Sequence, residues 1–74
     1  MSTHRTYTIE HNGMTVAERL TEDAARAYVD DIADNPRPGL YGTYAITEWE
    51  GKLHTDPADW REVSSEEVAE VYPE

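Results

Sequence analysis

The chain has 74 residues, no cysteine, and sixteen acids against six bases, for a formal charge of −10. A chain this short buries only about 60% of its unfolded surface, so it can hold one thin core, with no disulfide or thiolate zinc site to reinforce it. Its charge favours solubility, repels nucleic acid and anionic membrane, and attracts a basic surface on another protein.

The opening Met1-Ser2-Thr3-His4-Arg5 leads into no apolar run. The longest stretch free of strongly polar residues, Pro38 to Ile46, is broken by Gly39 and Gly42. Neither a signal peptide nor a membrane span is expected, and a cytoplasmic location follows by elimination.

From Arg5 to His11 the residues alternate, with Tyr7 and Ile9 on one face and Thr6, Thr8 and Glu10 on the other. That is the period of a half-buried strand. Asn12-Gly13 suits a type I′ turn, because both residues tolerate positive φ. Met14, Val16 and Leu20 then share one side of a second alternating run, interrupted by Glu18. Residues 5–20 therefore predict a β-hairpin.

Thr21 is a natural N-cap, and Glu22 and Asp23 stand in the first turn, where the helix dipole favours acids. Ala25, Tyr28, Val29 and Ile32 recur at i, i+3, i+4 and i+7, the stripe of an amphipathic helix. Asn35-Pro36 ends it, because the residue before proline is pushed out of the α region. Leu40 to Glu50 predicts a third strand with Leu40, Tyr44 and Ile46 on one face. Tyr41, Thr43, Ala45, Thr47 and Trp49 fall on the other.

Beyond Gly51 the pattern divides. Asp56-Pro57 resembles a helix start with proline in its first turn. Trp60 to Val63 reads as a short fourth strand, and Ser64 with Glu67 matches a capping box ahead of Val68 and Val71. Residues 1–54 are thus read as a ββαβ core domain. Residues 55–74 form an acidic segment, either packed on the core as a short strand and helix or left as a mobile tail. The simplest fold is a small two-layer α+β domain, an antiparallel sheet with one main helix packed across it.

The residues that carry chemistry are sparse. His4, His11 and His54 are scattered and are expected to be solvated surface histidines. Ser2 lies at the terminus, Ser64 and Ser65 read as caps, and no G-x-S-x-G elbow is present. The four glycines are isolated, and Asp30-Asp31…Asp34 lacks the glycine and terminal glutamate of a calcium loop. No catalytic, cofactor or metal site is expected, and the chain is read as non-enzymatic.

Two surface features remain. Asp23, Asp30, Asp31 and Asp34 cluster opposite the Ala25–Val29–Ile32 stripe, either as a docking face for a basic partner or as solubilising charge. Tyr41, Trp49 and Trp60 exceed what an inner face holding Tyr7, Ile9, Val16, Tyr28, Ile32, Tyr44 and Ile46 can take. Either Trp60 and Val63 fold back over Tyr41 and Trp49, or the outer sheet face carries an aromatic patch rimmed by acids, as interface anchors do. The expected function is a protein–protein interaction module. It would bind a basic protein partner, or a second copy of itself, through Tyr41, Trp49, Trp60, Asp23, Asp30, Asp31 and Asp34. The alternative is a nucleic-acid mimic that inhibits a DNA- or RNA-binding enzyme. Neither nucleic acid nor membrane is an expected direct partner.

Overall fold

A computed structural model of the chain describes residues 3–52 and 57–73. Strands β1 (His4–His11) and β2 (Met14–Leu20) are followed by helix α1 (Glu22–Asp34), strand β3 (Gly42–Gly51), one 3₁₀ turn (Pro57–Asp59) and strand β4 (Arg61–Val71). The four strands form one antiparallel sheet in the order β2-β1-β3-β4, with β3 central beside β1. The small two-layer α+β domain is therefore the observed fold.

The hairpin forms as the sequence predicts. Asn12 (φ 53°) and Gly13 (φ 85°) both take positive φ at its turn. Along β2, however, the pairing slips twice. Ile9 faces Ala17 while Glu10 faces Thr15, so Val16 is an extra residue in a bulge. A second irregularity lies between Ala17 and Leu20, where Arg19 has φ 59°. Ala17 and Leu20 consequently pack against the core, and Val16, expected inside, is exposed.

Thr21 caps α1, its Oγ1 accepting from the Ala24 N–H at 3.1 Å. The helix lays Ala25, Val29 and Ile32 on the sheet, and Asn35 ends it. Tyr28, which the spacing placed in the stripe, lies at its margin and is exposed. The core beneath consists of Ile9, Tyr44 and Val71, one residue from each of β1, β3 and β4. Tyr7, Leu40, Ile46, Val68 and Ala69 extend it.

The segment expected as a short strand plus a capped helix, or as a tail, is instead an eleven-residue edge strand. β4 pairs with β3 along almost its whole length, from Gly42↔Val71 to Glu50↔Arg61. Ser64 and Ser65 do not cap a helix; both lie within the strand. Two bulges, at Val68 and Val63, let β4 follow the twist of the sheet. Asp56 and His54 lie outside the described residues.

The molecule measures 48 × 20 × 17 Å, because the sheet runs on past the helix. Beyond Tyr7 the inner face carries charge in place of apolar side chains. Arg5 bonds Glu48 at 2.6 Å and lies 3.6 Å from Glu50, and Arg61 lies 3.7 Å from Glu50. Tyr7 donates to Glu48 at 2.9 Å. Among the described residues no helix covers the outer face, which carries mostly Thr, Ser and Glu. At its centre Thr47 is fully buried, donating to Glu10 at 2.9 Å and lying 3.1 Å from the Ser65 hydroxyl. Because the Thr47 proton goes to Glu10, Ser65 is the donor to Thr47.

Candidate functional site

The residues singled out in the sequence divide between the two ends of the molecule. At the end beyond the helix, Trp49 lies on the outer face opposite Thr6 and Glu62. Trp60 covers Gly51 on that same face: a Cβ on Gly51 would fall 2.3 Å from the Trp60 ring. The Trp49 indole N–H is buried and has no hydrogen-bond partner among the described residues. Val63 turns outward and is exposed.

Tyr41 belongs to the other end. Gly42 (φ 139°), the first residue of β3, breaks the alternation with the residue before it, so Tyr41 packs against the helix-side core instead of the outer face. The outer-face aromatic patch of Tyr41, Trp49 and Trp60 is therefore not formed as a unit. Tyr41 lines a cleft of about 550 Å³ with Ala33 and Pro36 from the end of α1, and with Glu70, Val71, Tyr72 and Pro73 from the end of β4. Tyr72 is 58% exposed there.

The helix side of this cleft is acidic. Asp30 stands one turn before Ala33 on the same stripe, and Asp34 follows Ala33 directly. The last turn of α1 holds no basic residue, and helix C-termini carry the negative end of the backbone dipole. Asp23, Asp30, Asp31 and Asp34 are all exposed. The ion pairs among the described residues engage Glu22, Glu48 and Glu50, and none engages these four aspartates. Asp23 sits at the opposite end of the helix, in its first turn, away from the other three.

Hydrogen bonds and a ring stack tie together the residues next to Tyr41. The Tyr44 hydroxyl donates to the Leu40 carbonyl at 2.6 Å, and its ring stacks on His11 with centroids 4.4 Å apart. His11 Nε2 lies 2.8 Å from the Tyr41 carbonyl. A carbonyl only accepts, so that nitrogen carries the proton. His11 is thus a packed structural side chain, in contrast to the solvated histidine expected; His4 is exposed. Among the described residues no cluster of three or more His, Cys, Asp or Glu side chains is arranged to hold a metal ion. No described helix is long and apolar enough to cross a membrane.

Sequence reading missed Glu70, Tyr72 and Pro73, because their segment was taken for a terminal helix or tail. The signal that points to them is the Val71-Tyr72-Pro73 sequence itself, a strand-forming pair closed by proline. No protein-family model matches the chain, no curated protein matches it in sequence, and no solved structure matches it in fold.

Proposed function

We propose that this chain is a non-enzymatic protein-interaction module that binds a basic protein partner. The supporting observation is the segregation of its charges. The far end holds ion pairs, with Arg5 and Arg61 against Glu48 and Glu50. The helix terminus and the C-terminal half of β4 carry Asp30, Asp31, Asp34, Glu66, Glu67 and Glu70, and none of these takes part in an ion pair among the described residues. Exposed, uncompensated charge of one sign steers a partner of the opposite sign and orients its approach.

The density of this charge favours a protein over mimicry of nucleic acid. Glu62 to Glu70 spans about 27 Å of strand and carries four acids, whereas duplex DNA presents one charge per roughly 1.7 Å. A second copy is disfavoured as partner, since each brings a charge of −10. The test is calorimetric titration with a synthetic arginine–glycine peptide and a glutamate–glycine peptide of equal length. The basic peptide should bind, with affinity falling on the order of tenfold from low salt to about 0.15 M as screening sets in. Equal binding of both peptides, or of neither, would contradict the reading.

A further inference from the structure

We infer that the cleft between the end of α1 and the end of β4 receives an arginine side chain of the partner, sandwiched against Tyr72 and Tyr41. The inference rests on the basic-partner reading above and names the point of contact. Four observations converge on it. The cleft, at about 550 Å³, is roomy enough for a side chain together with the backbone that carries it. Its walls are two tyrosines, two prolines, Ala33 and Val71, and the charged group in its lining is the exposed carboxylate of Glu70. The helix terminus at its rim adds Asp30 and Asp34 and the negative end of the dipole, with no basic residue in that turn. Tyr72 stands largely exposed although it follows directly on the buried Val71.

Aromatic faces with carboxylates at their margin suit a cation that is also flat. A guanidinium stacks on a tyrosine ring while its edge N–H groups reach a carboxylate, and it sheds water more easily than an ammonium. Arginine therefore fits this cleft better than lysine. A neutral or acidic occupant would leave Glu70 and the aspartates unanswered. Pro36 and Pro73 restrict the backbone on either side, so little ordering is needed when the side chain enters.

The test compares Tyr72→Ala, Tyr72→Phe and Glu70→Gln with the parent chain, titrated with the arginine–glycine peptide and with its lysine counterpart. Tyr72 is exposed, so its truncation leaves the core intact, and the circular-dichroism spectrum checks this. Tyr72→Ala should weaken the arginine peptide by roughly three- to tenfold, and Tyr72→Phe should keep parental affinity. Glu70→Gln should weaken it severalfold, and the parent should prefer the arginine peptide. Unchanged affinity in Tyr72→Ala, or equal affinity for the two peptides, would overturn the cleft as the arginine site while leaving the basic-partner reading standing. Failure of the parent chain to bind either basic peptide would overturn both.

Discussion

Asn12 and Gly42 share a few ångströms of space. The Asn12 backbone N–H donates to the Thr43 carbonyl at 2.9 Å, and its Oδ1 accepts from the Thr43 N–H at 3.0 Å, so the hairpin turn is clasped to the start of β3. A Cβ at Gly42 would lie 2.4 Å from Asn12 Oδ1, and φ there is +139°. Gly42→Ala should therefore cost about 1–3 kcal/mol, read by urea unfolding, from strained backbone and a displaced clasp. Adding Asn12→Gly should relieve the steric part and leave the backbone part. Unchanged stability in Gly42→Ala would mean that the clasp is not held in solution.

Two tyrosines link stability to alkaline pH. The Tyr7 hydroxyl is raised above the ordinary tyrosine value, first by its hydrogen bond to Glu48 and then by burial. Burial raises Tyr44. A group whose pKa is raised by folding contributes stability that is complete below the unfolded value, about 10, and is lost as pH climbs through the folded value. Spectrophotometric titration should find tyrosines ionising above the ordinary range together with loss of structure. Ionisation of Tyr7 and Tyr44 near the ordinary value with the fold intact would count against these contacts.

At the level of elements, the hairpin and the helix were legible because their local signals agree with their surroundings. Asn12-Gly13 names its turn, Thr21 its cap, and Ala25, Val29 and Ile32 their stripe. β4 was hidden for physical reasons. It is an edge strand with most of its side chains in water, so no alternation is required of it, and the bulges at Val63 and Val68 break the period that remains. Val68 and Val71 consequently fall three apart, as on a helix, behind a Ser64–Glu67 pair that imitates a capping box. Val16 was misplaced for the same reason, being a bulge residue, and Tyr41 because Gly42 turns the chain beside it.

β4 is integral to the fold. A chain ending at Trp60 would uncover Tyr44 and lose Val71 from the core, and it should show no cooperative thermal transition. A cooperative transition in that fragment would show that the three-stranded remainder stands alone. The core is equally thin at its centre: Ile9→Ala removes a fully buried side chain, and about 2–5 kcal/mol of lost stability would leave a domain of this size mostly unfolded. The acids of β4 also guard its open edge, since like charges oppose pairing with a second copy. Replacing Glu62, Glu66, Glu67 and Glu70 together with glutamine should make the protein self-associate with concentration in sedimentation experiments. A variant that stays monomeric would remove this protective role.

Across the whole molecule, the elongated sheet separates an end where arginines pair with glutamates from one whose acids form no ion pair among the described residues. The helix covers only the acidic end, so the cleft, the aspartates and the C-terminal end of β4 meet there. Trp49 and Trp60 lie at the other end, where the Trp60 ring covers Gly51 on the outer face. Of the candidate site, the sequence named Tyr41 but assigned it to the outer face, and it named Asp30, Asp31 and Asp34 without placing them beside β4. Glu70 and Tyr72 could not be read from it, because their position depends on β4 returning to the helix terminus.

The most direct measurement is an amide chemical-shift map of the isotopically labelled chain titrated with the arginine–glycine peptide. Shifts concentrated in residues 30–36, at Tyr41 and in residues 66–73 are predicted, with β2 and Trp60 little changed. Shifts centred on β2 or on the outer face around Trp49, or a flat map at saturating peptide, would contradict recognition of a basic partner at the acidic end.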